Sequence, residues 1–159
     1  MERYFRTQEG KRVNVVEHTL EQIKKWPNLK MFIGTDAQDY GKITRFVTCV
    51  CYRYGSRGAH FVYYLEEVKK MDMYQRLYDE GTRTIEAAQI ISNEIPVVIE
   101  ALEFDYNTIP KWASNKLVST MNGWAKGLNY KPVFKNTASN IMIATKAADH
   151  VCRHPNMYK

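Results

Sequence analysis

Four acidic residues stand where carboxylates could work together: Asp36, Glu80, Asp105 and Asp149. Asp36 ends the apolar stretch Met31-Phe32-Ile33, reached through Gly34 and Thr35, and Asp105 ends the apolar run from Pro96 to Phe104. A carboxylate at the end of a buried strand carries a desolvation cost unless a partner offsets it. Gathered carboxylates repel one another, so such a set makes physical sense mainly as a cation site. Hard oxygen ligands suit Mg2+ or Mn2+, and two such ions about 3.5–4 Å apart can activate a water, hold a phosphate and stabilise a leaving oxygen. The chemistry would be phosphodiester hydrolysis. Two plainer readings stand beside it: Asp36 can begin a turn with Asp39, Tyr40 and Gly41, and helical acids such as Glu80 and Asp149 are mostly solvated.

The elements that must position these acids follow from periodicity. Val13 to Trp26 is an amphipathic helix stopped by Pro27, with Val16, Thr19, Leu20, Ile23 and Trp26 inward. Met31 to Asp36 is a buried strand. Ile43 to Tyr54 is a β-branched and aromatic strand expected to pair antiparallel with it, and after a turn at Gly55-Ser56-Arg57-Gly58 comes a third strand, Ala59 to Glu67. Asp72 and Gln75 form an N-cap and capping-box pair for a helix reaching about Asn93, with Glu80 near its middle and Gly81 permitting close packing on the sheet. Pro96 to Phe104 reads as a strand buried on both faces. Lys111 to Lys126 is a helix with Gly127 as its C-terminal cap, Tyr130 to Phe134 an edge strand because of Pro132, and Ser139 the cap of a last helix through about Val151. In that helix Ile141, Ala144, Thr145, Ala148 and Cys152 point inward and Asp149 lies toward the end.

Composition narrows the class. A chain of 159 residues with ordinary apolar content fits a single domain, 1–159, here divided into an N-terminal helical extension, 1–28, and a core, 29–153. Cys49, Cys51 and Cys152 have no metal-ligand spacing, and a bridge between Cys49 and Cys51 would be strained, so a reducing, cytoplasmic compartment is expected. Apolar runs are too short for a membrane span, and no secretory leader is evident. The net charge of +6 agrees with a polyanionic partner such as nucleic acid.

The order βββαβαβα, a five-stranded mixed sheet flanked by helices after the leading helix, describes the ribonuclease-H-like α/β fold. Right-handed crossovers bring the fourth strand beside the first, making Asp36 and Asp105 neighbours that Glu80 and Asp149 can approach from their helices. The segments Ile33-Gly34-Thr35-Asp36-Ala37-Gln38, Thr84-Ile85-Glu86-Ala87-Ala88 after Glu80, Asp105-Tyr106-Asn107, and Lys135 through Ala148-Asp149 resemble the YkuK family of predicted ribonuclease-H-like nucleases over roughly residues 30–153. The resemblance implies Asp36, Glu80, Asp105 and Asp149 as metal ligands and catalytic residues. The chain departs from the family's expected Thr-Asp-Ser-Gln at Ala37, and from Lys-Pro-Asp-Ser at Lys135-Asn136-Thr137-Ala138-Ser139, losing an acid there.

Two functions of different class follow. The first is a two-metal nuclease acting on RNA, an RNA/DNA hybrid or structured DNA, with Mg2+ or Mn2+, with Lys135, Lys146 and Arg153 on phosphates and Tyr40, Trp112 or Trp124 available for stacking, although Trp124 reads better as core. The second is a catalytically silent structural or nucleic-acid-binding component of a larger assembly, such as a virion or ribonucleoprotein, with protein partners ordering its termini. Glu67-Val68-Lys69 has the acid-x-Lys form of restriction-type nucleases but lacks the upstream acids, and reads as a charged strand end.

Overall fold

The computed structural model of the chain describes residues 4–107, 115–135 and 142–158. Its strands are β1 (Tyr4–Thr7), β2 (Arg12–Asn14), β3 (Lys30–Tyr40), β4 (Ile43–Arg53), β5 (Ala59–Lys69), β6 (Ala101–Asn107) and β7 (Pro132–Lys135). The helices are α1 (Val15–Lys25), α2 (Met73–Ser92), α3 (Asn115–Gly127) and α4 (Ile143–Arg153). All seven strands join one mixed sheet in the order β2-β1-β5-β4-β3-β6-β7. The expected meander of β3, β4 and β5 is antiparallel, and β6 and β7 extend it in parallel with β3. The α/β class and the ribonuclease-H-like order therefore hold, but the sheet has seven strands rather than five. The added pair, β1 and β2, lies in the segment expected to be purely helical: Phe5 is buried, Gly10 takes a positive φ in the turn, and β1 pairs antiparallel with β5.

Alternation along the strands feeds two cores. Ile33, Val50, Tyr52, Val62, Leu102 and Phe104 pack with Ile85, Ala88 and Ile91 of α2 and Leu117 and Met121 of α3. On the opposite face Val47, Cys49, Cys51 and Tyr63 meet Ala144, Ala148, Val151 and Cys152 of α4. The period-2 strand pattern and the 3.6-residue helix pattern thus select opposite faces for α2 and α4. All three cysteines are buried thiols.

Local chemistry explains where elements begin and end, and corrects several expectations. Asn14 caps α1 by accepting from the backbone N–H groups of Val16 and Glu17. The buried residues of α1 are Val15 and Thr19, and Leu20, expected inward, is exposed. Asp72 caps α2 as expected, but the Gln75 amide donates to Asp79 instead of closing a capping box. Asp36 is no turn residue: β3 continues to Tyr40, and Gly41, with φ +60°, makes the two-residue turn into β4. The run 96–104 is only partly strand, because β6 starts at Ala101 and Val98 is 86% exposed. After α3 the left-handed residue is Asn129 rather than Gly127. Pro132 opens β7 at the edge of the sheet, the position where its missing N–H costs least. Ile141 and Ser139, the expected cap of the last helix, lie outside the described residues, and α4 starts at Ile143 with no side-chain bond from its N-cap, Met142.

Gly34 is required by close packing. A Cβ there would stand 2.7 Å from Thr145 Cγ2 and 3.1 Å from the Thr145 backbone nitrogen, so β3 and the first turn of α4 touch through it. Gly34→Ala is expected to destabilise the protein by about 1–3 kcal/mol, because the obstacles are the short, β-branched Thr145 side chain and the helix backbone beneath it, which have little room to move aside. A urea midpoint equal to that of the wild type would contradict this packing.

Candidate active site at the ends of the parallel strands

The parallel pairs Phe32↔Ala101, Ile33↔Leu102 and Gly34↔Glu103 set the register of β3 and β6. The pairing ends there, and two residues farther along each strand stand Asp36 and Asp105, with Asp36 on the same face of β3 as Gly34. The site lies on the carboxyl side of the parallel pairing, where open α/β sheets hold their ligands. Asp149 reaches Asp36 from α4 on that face. Gln38, on β3, links the two by donating from Nε2 to Asp36 Oδ2 at 3.2 Å and to Asp149 Oδ1 at 3.3 Å.

Glu80 comes from α2, on the other face. One turn farther along that helix, Thr84 Oγ1 donates to Thr35 Oγ1 at 2.9 Å, and Thr35 in turn bonds Thr48 Oγ1 at 2.9 Å, which fixes α2 against β3 and β4. Glu80 is buried, and its carboxylate accepts from the Ala37 backbone N–H. Burial pushes its pKa well above the usual carboxylate range, and the negative charges of Asp36 and Asp105 push it in the same direction. Arg76, one turn earlier on α2, opposes them while holding Asp39 at 3.2 Å.

Asp36 is 7% exposed. Burial, then contact with Asp149 and the charge of Asp105, raise its pKa to about 7, with the Gln38 hydrogen bond pulling the other way. The four acids therefore form one electrostatic group in which Asp36 and Glu80 are the buried members. Asp105 and Asp149 are more open, their side chains 38% and 44% exposed, and each has a cation: Lys135 Nζ lies 3.7 Å from Asp105 and Arg153 Nε 2.7 Å from Asp149.

Glu103, which the sequence reading passed over, anchors this arrangement. It is buried within β6 and aims at the N-terminus of α4. Its Oε1 accepts from Ala144 N at 2.9 Å, from Thr145 N at 3.0 Å and from Thr145 Oγ1 at 3.3 Å, while Oε2 accepts from Ile143 N at 3.1 Å. A carboxylate from a neighbouring strand thereby does the work of an N-cap and faces the positive end of the helix dipole. Burial outweighs these donors and raises its pKa. With Gly34, Glu103 fixes where α4 sits, and so where Asp149 points.

The sequence matches the ribonuclease-H-like family over residues 14–153. The chain belongs to that family. Comparison with curated proteins and with solved structures gave no match.

In this ribonuclease-H-like chain the other expected contacts are distributed as follows. Lys146 is exposed on α4, and Lys135 and Arg153 are engaged with the acids named above. Tyr40 is occupied structurally: its hydroxyl donates to the Cys152 carbonyl, and the Arg45 guanidinium lies over its ring at 4.4 Å. Trp124 packs against the core, and Trp112 and the departure at 136–139 lie outside the described residues. Glu67 pairs with Arg45 at 2.9 Å, in keeping with a charged strand end. Among the described residues no helix is long and apolar enough to cross a membrane.

The donor set suits a hard cation in kind. It offers only carboxylate oxygens, and the buried pair, Asp36 and Glu80, is held toward its protonated form by burial and mutual repulsion, which a cation would reverse. In spacing the acids are less tightly drawn: among the described residues no three acid, histidine or cysteine side chains converge closely enough to hold an ion.

Proposed function

We propose that this chain is a YkuK-like, metal-dependent nuclease that hydrolyses phosphodiester bonds in nucleic acid. The observation that carries the reading is the electrostatic coupling of Asp36, Glu80, Asp105 and Asp149 just beyond the parallel pairing of β3 and β6. Further support comes from the resemblance of the Ile33–Gln38 and Asp105–Asn107 segments to that family, and from the positive net charge.

The four carboxylates would hold Mg2+ or Mn2+, and two such ions, when bound, supply an activated water and stabilise the leaving oxygen. The rest belongs to the chain. Gln38 keeps Asp36 and Asp149 in a fixed relation, and Thr35 and Thr84 hold α2 so that Glu80 enters from the opposite face. Lys135 and Arg153 would turn from their acids to substrate phosphates, and Lys146, exposed on α4, is a further cation for them.

The test is cleavage of labelled single-stranded RNA, RNA/DNA hybrid and structured DNA with Mg2+ or Mn2+. Cleavage of at least one substrate is expected, with loss in chelator and in Glu80→Gln; chelator-resistant cleavage, or full activity in Glu80→Gln, would refute the mechanism. A second reading, a catalytically silent component of a larger assembly, is favoured by the ion pairs that Asp105 and Asp149 make with Lys135 and Arg153. It predicts nucleic-acid or protein binding without turnover on any of the three substrates.

A further inference from the structure

We propose that His18 and His60 form a binding site for a nitrogen-preferring divalent transition-metal ion, with Zn2+ the representative case, which ties α1 to β5. The two residues come from different elements, yet their Nε2 atoms lie 2.8 Å apart. Both rings pack against Tyr52, His60 stacked with its centroid 5.9 Å away and His18 edge-on at 5.6 Å. Tyr52 is itself buried, and its hydroxyl is paired with Thr19 Oγ1 at 2.7 Å, so the platform beneath the imidazoles is fixed. The convergence of the two nitrogens is therefore built by α1, β4 and β5 together.

The chemistry follows from the proton between the rings. At 2.8 Å one imidazole donates its Nε2–H to the lone pair of the other. If the donor ring carries its proton on Nδ1 instead, both Nε2 lone pairs are free, and a metal ion takes the place of the bridging proton, with no net change in protonation, once the nitrogens part to the roughly 3.3 Å that two tetrahedral metal–nitrogen bonds require. Burial lowers the pKa of both histidines and favours this neutral, ligating form near pH 7. The charged groups that act on His18 are His60, Glu21 and Lys25 of α1, and Lys11 of the β1–β2 turn; Glu9 of the same turn acts on His60.

Glu21 lies one turn from His18 on α1, within reach of the same helix face. Among the described residues no third His, Cys, Asp or Glu is close enough to complete a set, so two imidazole nitrogens hold the ion and water fills the remaining positions. Imidazole favours Zn2+, Cu2+ or Ni2+, whereas carboxylates favour Mg2+ or Mn2+, so this site would not compete for the ions of the acidic group.

The experiment pairs thermal unfolding with paramagnetic NMR on the full chain. With Mg2+ already saturating the acidic group, zinc near pH 7 should raise the wild-type Tm further, by about 4 °C at saturation, and that gain should vanish in the His18→Gln/His60→Gln variant. In the wild type, Co2+ should shift the ring resonances of His18 and His60. With Mg2+ saturating the acidic group beside Asp149, His150 and His154, whose centroids are 4.9 Å apart on the far side of the sheet, are the internal control and should stay in place. An equal zinc effect in the double variant, or cobalt shifts confined to His150 and His154, overturns the proposal.

Discussion

Asp36→Asn should abolish cleavage and, in chelator, make the protein more stable. Asp36 has an ordinary carboxylate pKa when unfolded and one of about 7 when folded. Between those values the folded state holds a proton that the unfolded state has released, so stability is fully present below the unfolded pKa and is lost as pH rises through about 7. For a shift of this size the loss amounts to about 4 kcal/mol. The wild type in chelator should therefore unfold at lower urea near pH 8 than near pH 5, and Asp36→Asn should flatten that slope. Turnover should fall by about a thousandfold, equivalent to ~4 kcal/mol in the barrier. A purely structural Asp36 would give the reverse pattern, lower stability with activity falling only as the fold fails.

Glu103 carries the second large effect. Glu103→Gln should destabilise by about 2–3 kcal/mol, because an amide presents an NH2 group to the backbone donors of Ile143, Ala144 and Thr145 and leaves at least one of them buried and unpaired. Since α4 carries Asp149, cleavage should weaken at temperatures where the fold is intact, and amide exchange in the first turn of α4 should quicken before exchange in α2. Uniform protection across both helices would show that α4 is held by its apolar face alone, through Ala144, Ala148 and Val151.

The contrast between Asp36 and Glu103 explains what sequence reasoning reaches and what it misses. Asp36 follows an apolar strand and a glycine, and the right-handed crossover rule places the strand bearing Asp105 beside it, so the parallel pairing of β3 and β6 could be worked out from pattern alone. The long helix bearing Glu80 was announced by Asp72 and a 3.6-residue repeat. Glu103 was hidden inside a stretch read as continuously apolar, yet Leu102, Phe104 and Tyr106 are buried on one face while Glu103 and Asp105 share the other, a period-2 alternation that was there to be read. What that alternation could not reveal is that a buried acid would find its donors at the start of a helix 40 residues later.

The N-terminal strands were missed for a different reason. β1 and β2 are 4 and 3 residues long, too short for periodicity to register, and they are ordered by pairing with each other and with β5 rather than by local preference. Nothing in the sequence around Gln38 signals its role. Its function as the link between Asp36 and Asp149 depends on two residues 111 positions apart in the chain meeting across the β3–α4 interface.

If the four carboxylates form a site for hard divalent cations, as proposed, calorimetric titration of the chelator-treated protein with Mn2+ will register it. The wild type should bind Mn2+, with binding lost in Asp36→Asn and in Glu80→Gln while both variants retain the far-ultraviolet circular dichroism of the fold. A wild type that takes up no Mn2+, or an Asp36→Asn variant that binds it as the wild type does, would contradict the account.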